Sequence, residues 1–230
     1  MSGGVLNARL SSAAELVRQG AVFADIGTDH AHLPIFLLRA GIIEYAYCAD
    51  INEGPLASAR QNVAEAGFSD KCSFILTDGA MGLSGLGITD FAVCGMGGEL
   101  IAEIIDRSEL FRAPSVRMIL QPMTKQERLR EYLFRSGYNI ICESYSFDAG
   151  KYYVCLLAEY TGTPVAYDTL SLHTGLKTSR YIGREARLGY LSKKLSSLER
   201  AYRGKGARGE DQGEEAALID GVKELIASLK

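Results

Sequence analysis

The feature that most constrains the fold of this chain is an alternation of short apolar runs with segments of helical character. The hydrophobicity of these runs is continuous, which is typical of strands covered on both faces, as in a parallel sheet. We predict strands at 21–27, 45–51, 72–78, 90–95 and 117–122, and helices at 5–19, 34–40, 55–66, 99–106 and 125–135.

Two further apolar runs, 138–147 and 152–160, lie close together with Gly150 between them and predict an antiparallel hairpin. Strand-helix units followed by a hairpin predict an α/β fold with a doubly wound sheet of seven strands. In such a sheet, ligands bind at the carboxyl ends of the central strands.

The character of the chain changes after residue 162. Leucines recur at steps of three and four from Arg184, stop in the segment GKGARGEDQG, and resume at Leu218. This pattern predicts two amphipathic helices that pack as an antiparallel, coiled-coil-like hairpin. We therefore expect two domains, residues 1–162 and residues 163–230.

The second of these segments carries a concentration of basic residues. Ten basic and two acidic residues lie between Lys177 and Arg208, although the whole chain has a net charge of −3. Such a stripe is typical either of a solvated helix face or of a surface that attracts a polyanion such as nucleic acid. The residues that would contact nucleic acid are Lys177, Arg180, Arg184, Arg187, Lys193 and Lys194.

Composition excludes several classes of protein. No run approaches the roughly 18 apolar residues of a membrane span, and the N-terminus lacks the apolar region of a signal peptide. The five cysteines are never spaced as CxxC, which argues against a zinc site or a disulfide framework. We expect a cytoplasmic protein with reduced cysteines.

Polar residues and glycines gather where the predicted strands end. A nucleoside-containing cofactor needs close backbone approach after the first strand, a ribose carboxylate after the second and a polar group for the base after the third. Gly27, Asp50 and Asp78 supply these in order, with Gly79 and Gly95 beside them. Asp50 follows Gly27 by 23 residues, near the roughly 20 expected of a ribose carboxylate.

The loop after the first strand, DIGTDH, carries Asp25 and Asp29. Nearby carboxylates disfavour the pyrophosphate of a dinucleotide but favour the cationic sulfonium and amino groups of S-adenosylmethionine. The loop therefore favours S-adenosylmethionine over NAD. Asp25 is equally open to a structural interpretation, in which it satisfies backbone amides of the turn.

A metal site is the alternative interpretation of the same loop. His30 and His32 could ligate a metal with Asp25 and Asp29, but the chain offers no second ligand cluster and only one other histidine, His173. We expect no metal. A metal-dependent phosphoester hydrolase and a non-catalytic module that binds S-adenosylmethionine and RNA stay open as alternatives.

Six segments together resemble the bacterial tRNA (adenine-22-N1) methyltransferases. The segments are DIGTDHAHLP (25–34), CADINEGPLASARQN (48–62), TDGA (77–80), CGMGGELI (94–101), LQPM (120–123) and GKYY (150–153). The resemblance spans residues 1 to about 160, and the helical hairpin is similar in kind. It implies a Class I methyltransferase (Rossmann-like) fold and methyl transfer from S-adenosylmethionine to N1 of adenine 22 in the D-arm of tRNA.

The resemblance also implies roles for residues. N1 of adenine has an in-plane lone pair, so catalysis is expected to consist chiefly of positioning on an unpaired or flipped base. The oligomeric state stays open, with a monomer favoured. The catalytic residues would be Asp29, His30 and Met96. The residues around the target base would be His32, where the family often has an aromatic residue, Gly97 and Gly98. The cofactor-binding residues would be Asp25, Gly27, Asp50, Asp78, Gly79 and Gly95.

Overall fold

A computed structural model describes residues 6–230 of the chain. The strands in that range are β1 (Ala21–Ile26), β2 (Ile43–Asp50), β3 (Cys72–Leu76), β4 (Asp90–Gly97), β5 (Arg117–Thr124), β6 (Tyr138–Asp148), β7 (Lys151–Tyr160) and β8 (Arg180–Ile182). The α-helices are α1 (Ala8–Ala14), α2 (His32–Arg39), α3 (Glu53–Glu65), α4 (Gly98–Asp106), α5 (Gln126–Arg135), α6 (Thr169–Thr174), α7 (Arg184–Ala207) and α8 (Gly213–Leu229).

The strands form one mixed sheet in the order β3-β2-β1-β4-β5-β7-β6-β8. The first five in this order are mutually parallel, whereas β7 runs antiparallel to both β5 and β6. The predicted doubly wound α/β fold is confirmed, but the predicted number of seven strands is wrong. The eighth strand, β8, has only three residues, which are too few to form an apolar run that predicts a strand.

The sheet is covered on both faces, which explains the continuous hydrophobicity of its strands. One core joins the sheet to α1, α2 and α3 and includes Phe23, Leu33 and Ile119. The other joins it to α4, α5 and α7 and includes Ile101 and Leu129. The two layers of helices leave the carboxyl ends of the parallel strands uncovered for a site.

The leading helix is shorter than the predicted range of 5–19, of which residue 5 lies outside the described residues. It begins after Asn7, whose side chain accepts a hydrogen bond from the amide of Leu10 (2.9 Å). Beyond its end, the amide of Arg18 donates to the buried carboxylate of Asp90 (3.0 Å). That amide is then not available to a helical carbonyl, so the tertiary contact ends the helix early.

The C-terminal region contains the predicted pair of antiparallel helices. α7 continues through Gly204 and Gly206 into the predicted polar turn, which is thereby shortened to residues 208–212. Residues 163–182 lie against the first part of the chain, since β8 pairs with β6 and the ring of Tyr167 stacks on that of Phe134 in α5. The division of the chain at residue 162 stays a prediction. Among the helices of residues 6–230, none is both long and apolar enough for a membrane span.

Candidate active site

The carboxyl ends of β1, β2, β3 and β4 meet at one edge of the sheet. The amides of Gly27 and Thr28 donate to the carbonyl of Ala49 (2.8 and 3.0 Å), and the amide of Thr77 donates to the carbonyl of Asp50 (2.9 Å). These bonds join the loop after β1 to β2, and the loop after β3 to β2. The strand-end residues of the sequence prediction therefore belong to one continuous surface.

The loop after β1 passes directly beneath Met96. Gly27 has a φ of +76°, and a Cβ atom built on it would lie 2.0 Å from the Cε atom of Met96. Both the left-handed conformation and the close contact require glycine at this position. The half-buried Met96 side chain thus links the proposed cofactor loop to the end of β4.

Asp25 lies beneath the same loop and exposes only 7% of its surface. Its Oδ2 atom accepts a hydrogen bond from the hydroxyl of buried Thr28 (2.8 Å). The pKa of Asp25 is raised to about 7, chiefly by burial. The Thr28 hydrogen bond and the Arg9 guanidinium act in the opposite direction, and the nearby Asp50 contributes a smaller increase. Asp25 therefore supports the loop through the Thr28 side chain rather than through the backbone amides of the turn.

The exposed side chains of Asp29, His30 and His32 cluster on this loop and at the start of α2. Nε2 of His30 lies 3.2 Å from Oδ1 of Asp29, and the two imidazole rings are 5.6 Å apart. His30 and Ala31 have φ values of 61° and 52°, an unusual conformation for residues other than glycine. The side-chain amide of Asn62 holds this strained turn, since its Nδ2 atom donates to the carbonyl of His30 (2.9 Å).

Asp50 and Asp78 lie farther along the edge. Oδ1 of Asp50 accepts a hydrogen bond from the amide of Asn52 (2.8 Å), which orients the carboxylate at the end of β2. Asp78 is half-exposed and pairs with Nη1 of Arg107 (3.1 Å). Sequence reasoning missed Arg107, because this partner follows α4 in the chain and no local pattern links it to Asp78. Gly79 has a φ of +60° and lies against α4.

The end of β4 is held in place by Gln121, a fully buried residue of β5. Its Oε1 atom accepts hydrogen bonds from the amide of Gly95 (3.2 Å) and from Nη1 of Arg9 (2.7 Å). Sequence reasoning missed both Arg9 and Gln121. A polar residue within the apolar run RMILQP was the available signal for Gln121, since a buried amide needs partners.

Gly97 and Gly98 lie at the start of α4, where the backbone packs closely against β5 and the loop that follows it. A Cβ atom at Gly98 would lie 2.3 Å from the carbonyl oxygen of Lys125. Gly97 is the N-cap of α4 and makes no side-chain cap. Backbone rather than side chains therefore forms this part of the edge, beside Met96.

The six basic residues of the sequence prediction fall into two groups. Lys177, Arg180 and Lys193 are exposed. The other three make internal contacts through their cationic groups, and the role of all six in substrate contact stays a prediction. Arg184 donates to the carbonyl of Leu229 (Nη2, 2.6 Å), Arg187 is buried over the ring of Tyr181 (4.0 Å), and Lys194 pairs with Glu127 (3.5 Å).

No group of three or more His, Cys, Asp or Glu side chains in residues 6–230 is arranged to hold a metal ion. This edge of the sheet combines carboxylates with backbone that can approach a ligand closely. This donor set fits a cationic, ribose-containing cofactor better than a dinucleotide.

Comparison with known proteins decides the family. Residues 6–156 match the methyltransferase domain family. A tRNA (adenine(22)-N(1))-methyltransferase of Bacillus subtilis (strain 168) is 32% identical over 194 residues, which cover 84% of this chain and 82% of that protein. The chain belongs to the tRNA (adenine-22-N1)-methyltransferase family. The resemblance carried by the six sequence segments is confirmed.

Two solved structures show the same family fold. A Streptococcus pneumoniae protein in complex with S-adenosyl-L-methionine is 29% identical, with a TM-score of 0.81 over 96% of this chain and 100% of that one. M. capricolum TrmK in complex with S-adenosyl-homocysteine is 25% identical, with a TM-score of 0.79 over 98% and 99%. The tRNA (adenine-22-N1)-methyltransferase fold of this chain therefore includes the C-terminal helices.

Proposed function

We propose that this chain transfers a methyl group from S-adenosylmethionine to N1 of adenine 22 in the D-arm of tRNA. The observation that carries the proposal is the joint placement of Gly27, Asp50, Asp78 and Met96 at the carboxyl edge of a family fold. The solved relatives in complex with S-adenosyl-L-methionine and S-adenosyl-homocysteine support the choice of cofactor.

Four positions would hold the cofactor. Asp50 would accept hydrogen bonds from the ribose hydroxyls, and Gly27 would allow the backbone to approach the methionine part. Asp78 would accept from the adenine amino group, sharing its carboxylate with Arg107. Asp25 would hold the cofactor loop in place through its hydrogen bond with Thr28. When bound, S-adenosylmethionine supplies an electrophilic methyl group on a positively charged sulfur.

The residues around the target base would act by positioning. Met96, Gly97 and Gly98 would form the floor on which the flipped adenine rests, and His32 would form part of its wall. Asp29, oriented by His30, would stabilise the positive charge that the base gains on methylation. Because N1 already carries its lone pair, no side chain is required to remove a proton before transfer.

The exposed cations Lys177, Arg180 and Lys193 would contact tRNA phosphates. A tRNA substrate supports a cytoplasmic location.

The test uses two unmodified tRNA transcripts, one with adenine and one with guanine at position 22, and radiolabelled S-adenosylmethionine. Label should appear only in the adenine-containing transcript and be recovered as 1-methyladenosine. Label in both transcripts would move the target to another base. Absence of label while the cofactor still binds by calorimetry would favour a non-catalytic binding module.

A further inference from the structure

A cleft of about 570 Å³ lies between α6 and the C-terminal helices, and it shares no residue with the proposed cofactor and target-base sites. We call it the hairpin cleft. Its lining consists of residues 165–168, 170, 171 and 174–178, Arg187 of α7 and Leu225 of α8. Hydroxyl groups, aliphatic side chains, one tyrosine and two cations therefore surround it.

Arg187 is the unusual member of this lining. It exposes only 5% of its surface, and among residues 6–230 its Nε atom has no hydrogen-bond acceptor. Its guanidinium lies over the rings of Tyr181 (4.0 Å) and Tyr145 (5.7 Å). Aromatic faces stabilise the charge, but they do not provide acceptors for the five N–H donors of arginine. A buried cation without an oxygen partner is costly.

The neighbouring carboxylates are already used. Glu143 binds Nε of the buried Arg130 (2.9 Å) and accepts from the hydroxyl of Tyr145. Glu127 pairs with Lys194 (3.5 Å). Within residues 6–230, these ion pairs leave Arg187 without a carboxylate of its own.

The charge of the cleft lining is positive as well. Lys177 provides a second cation, and Asp168 provides the single carboxylate. The Oδ1 atom of Asp168 is occupied as the N-cap of α6, where it accepts from the amide of Ser171 (2.7 Å). The cleft is therefore suited to an anionic group.

We propose that the hairpin cleft binds a nucleotide through its phosphate group, with Arg187 and Lys177 as the phosphate-binding residues. Arginine matches phosphate because its donors address two oxygens in parallel, and lysine adds a point charge. The volume exceeds that of a phosphate alone, and Tyr167, Leu170 and Leu176 offer contacts for a base or sugar. The nucleotide is either an unpaired residue of bound tRNA, a source that rests on the proposed function, or a free mononucleotide.

The experiment uses uridine monophosphate, with uridine as the control that lacks the phosphate. The Nε–H resonance of Arg187, assigned through its loss in Arg187→Lys, is followed in ¹⁵N-labelled full-length protein. Uridine monophosphate should shift this resonance and uridine should not.

Lys177→Gln, an exposed position that carries little risk to folding, should weaken the binding of uridine monophosphate about tenfold. Lys193→Gln, on α7 outside the cleft, should leave it unchanged. An unshifted resonance, or equal affinity in Lys177→Gln, would overturn the proposal.

Unmodified tRNA distinguishes the two sources. Loss of the uridine monophosphate shift on addition of tRNA, with weaker tRNA binding in Lys177→Gln, would identify an RNA nucleotide as the occupant. Equal binding with and without tRNA would identify a free mononucleotide. Methyl transfer is measured on the same samples. Intact methylation without a phosphate-dependent shift overturns this inference alone, and a shift without methylation overturns the proposed function alone.

Discussion

The Cε methyl group of Met96 lies 2.0 Å from the position that a Cβ atom at Gly27 would take. The loop after β1 and the end of β4 thus contact each other because the Met96 side chain fills the space that a side chain at residue 27 would need. Since the first is proposed to hold the cofactor and the second to support the target base, a change at either residue should affect both functions.

Gly27→Ala tests this contact. We expect about 1 kcal/mol of destabilisation from the positive φ, together with a loss of affinity for S-adenosylhomocysteine because Met96 must move. Gly20→Ala is the matched control, since Gly20 has a φ of +75° but open space around it. Chemical denaturation and calorimetry measure the two effects. Equal cofactor affinity in both variants would argue against the contact as a determinant of binding.

Asp50→Ala should lower cofactor affinity by about 2 kcal/mol, or roughly 30-fold, because hydrogen bonds to a charged acceptor would be lost. Glu44→Ala removes an exposed carboxylate from the same strand and serves as the control. Calorimetric titration with S-adenosylmethionine provides the comparison. An unaffected Asp50→Ala enzyme would remove this carboxylate from the cofactor site.

Asp25 should make the stability of the protein depend on pH. Its folded-state pKa of about 7 lies above the ordinary value of 3.8, so the unfolded chain ionises first as the pH rises. The contribution of Asp25 to the free energy of unfolding is complete below about pH 4. It is lost as the pH rises from about 4 to about 7, a change of about 4 kcal/mol. Above that range the contribution is constant.

Asp25→Asn should not show this loss and should be the more stable protein at pH 8. Urea unfolding at several pH values measures the free energy of unfolding of each protein, and Asp29→Asn, at an exposed carboxylate, is the control. Parallel pH profiles for Asp25→Asn and the unchanged protein would refute the expectation.

Arg130→Met should destabilise the fold by about 3–5 kcal/mol, because it leaves Glu143 buried without its cation. Arg128→Met, which removes an exposed pair with Glu131 on the same helix, should cost at most about 1 kcal/mol. The double change Arg130→Met with Glu143→Leu should recover part of the loss. Denaturant unfolding compares the three variants, and similar losses for Arg130→Met and Arg128→Met would contradict the assignment of a buried pair.

Lys193→Gln should weaken tRNA binding and reduce its salt slope by about 1, as expected for one lost phosphate contact. Lys71→Gln, which removes an exposed lysine near the start of β3, should leave both quantities unchanged. Filter binding over a series of salt concentrations gives the slopes. Identical slopes for the two variants would exclude Lys193 from the RNA surface.

The strand ends could be predicted from sequence because parallel strands bring their carboxyl ends to one edge, whatever the details of packing. The partners of those residues could not, since Arg107 meets Asp78, and Arg9 meets Gln121, across long stretches of chain. The surroundings of the basic residues could not be predicted for the same reason. Whether a lysine such as Lys194 faces solvent or Glu127 depends on tertiary contacts that periodicity does not contain.

Strand β8 has a consequence for how the chain behaves among other copies of itself. β8 is the last strand on this side of the sheet, and its residues Arg180–Ile182 pair with Cys142–Ser144 of β6, which would otherwise be the edge strand. Unpaired edges recruit strands from neighbouring molecules. A chain ending before Arg180 would leave these backbone groups of β6 without hydrogen-bond partners. The three residues that connect the sheet to α7 therefore also reduce edge-to-edge aggregation.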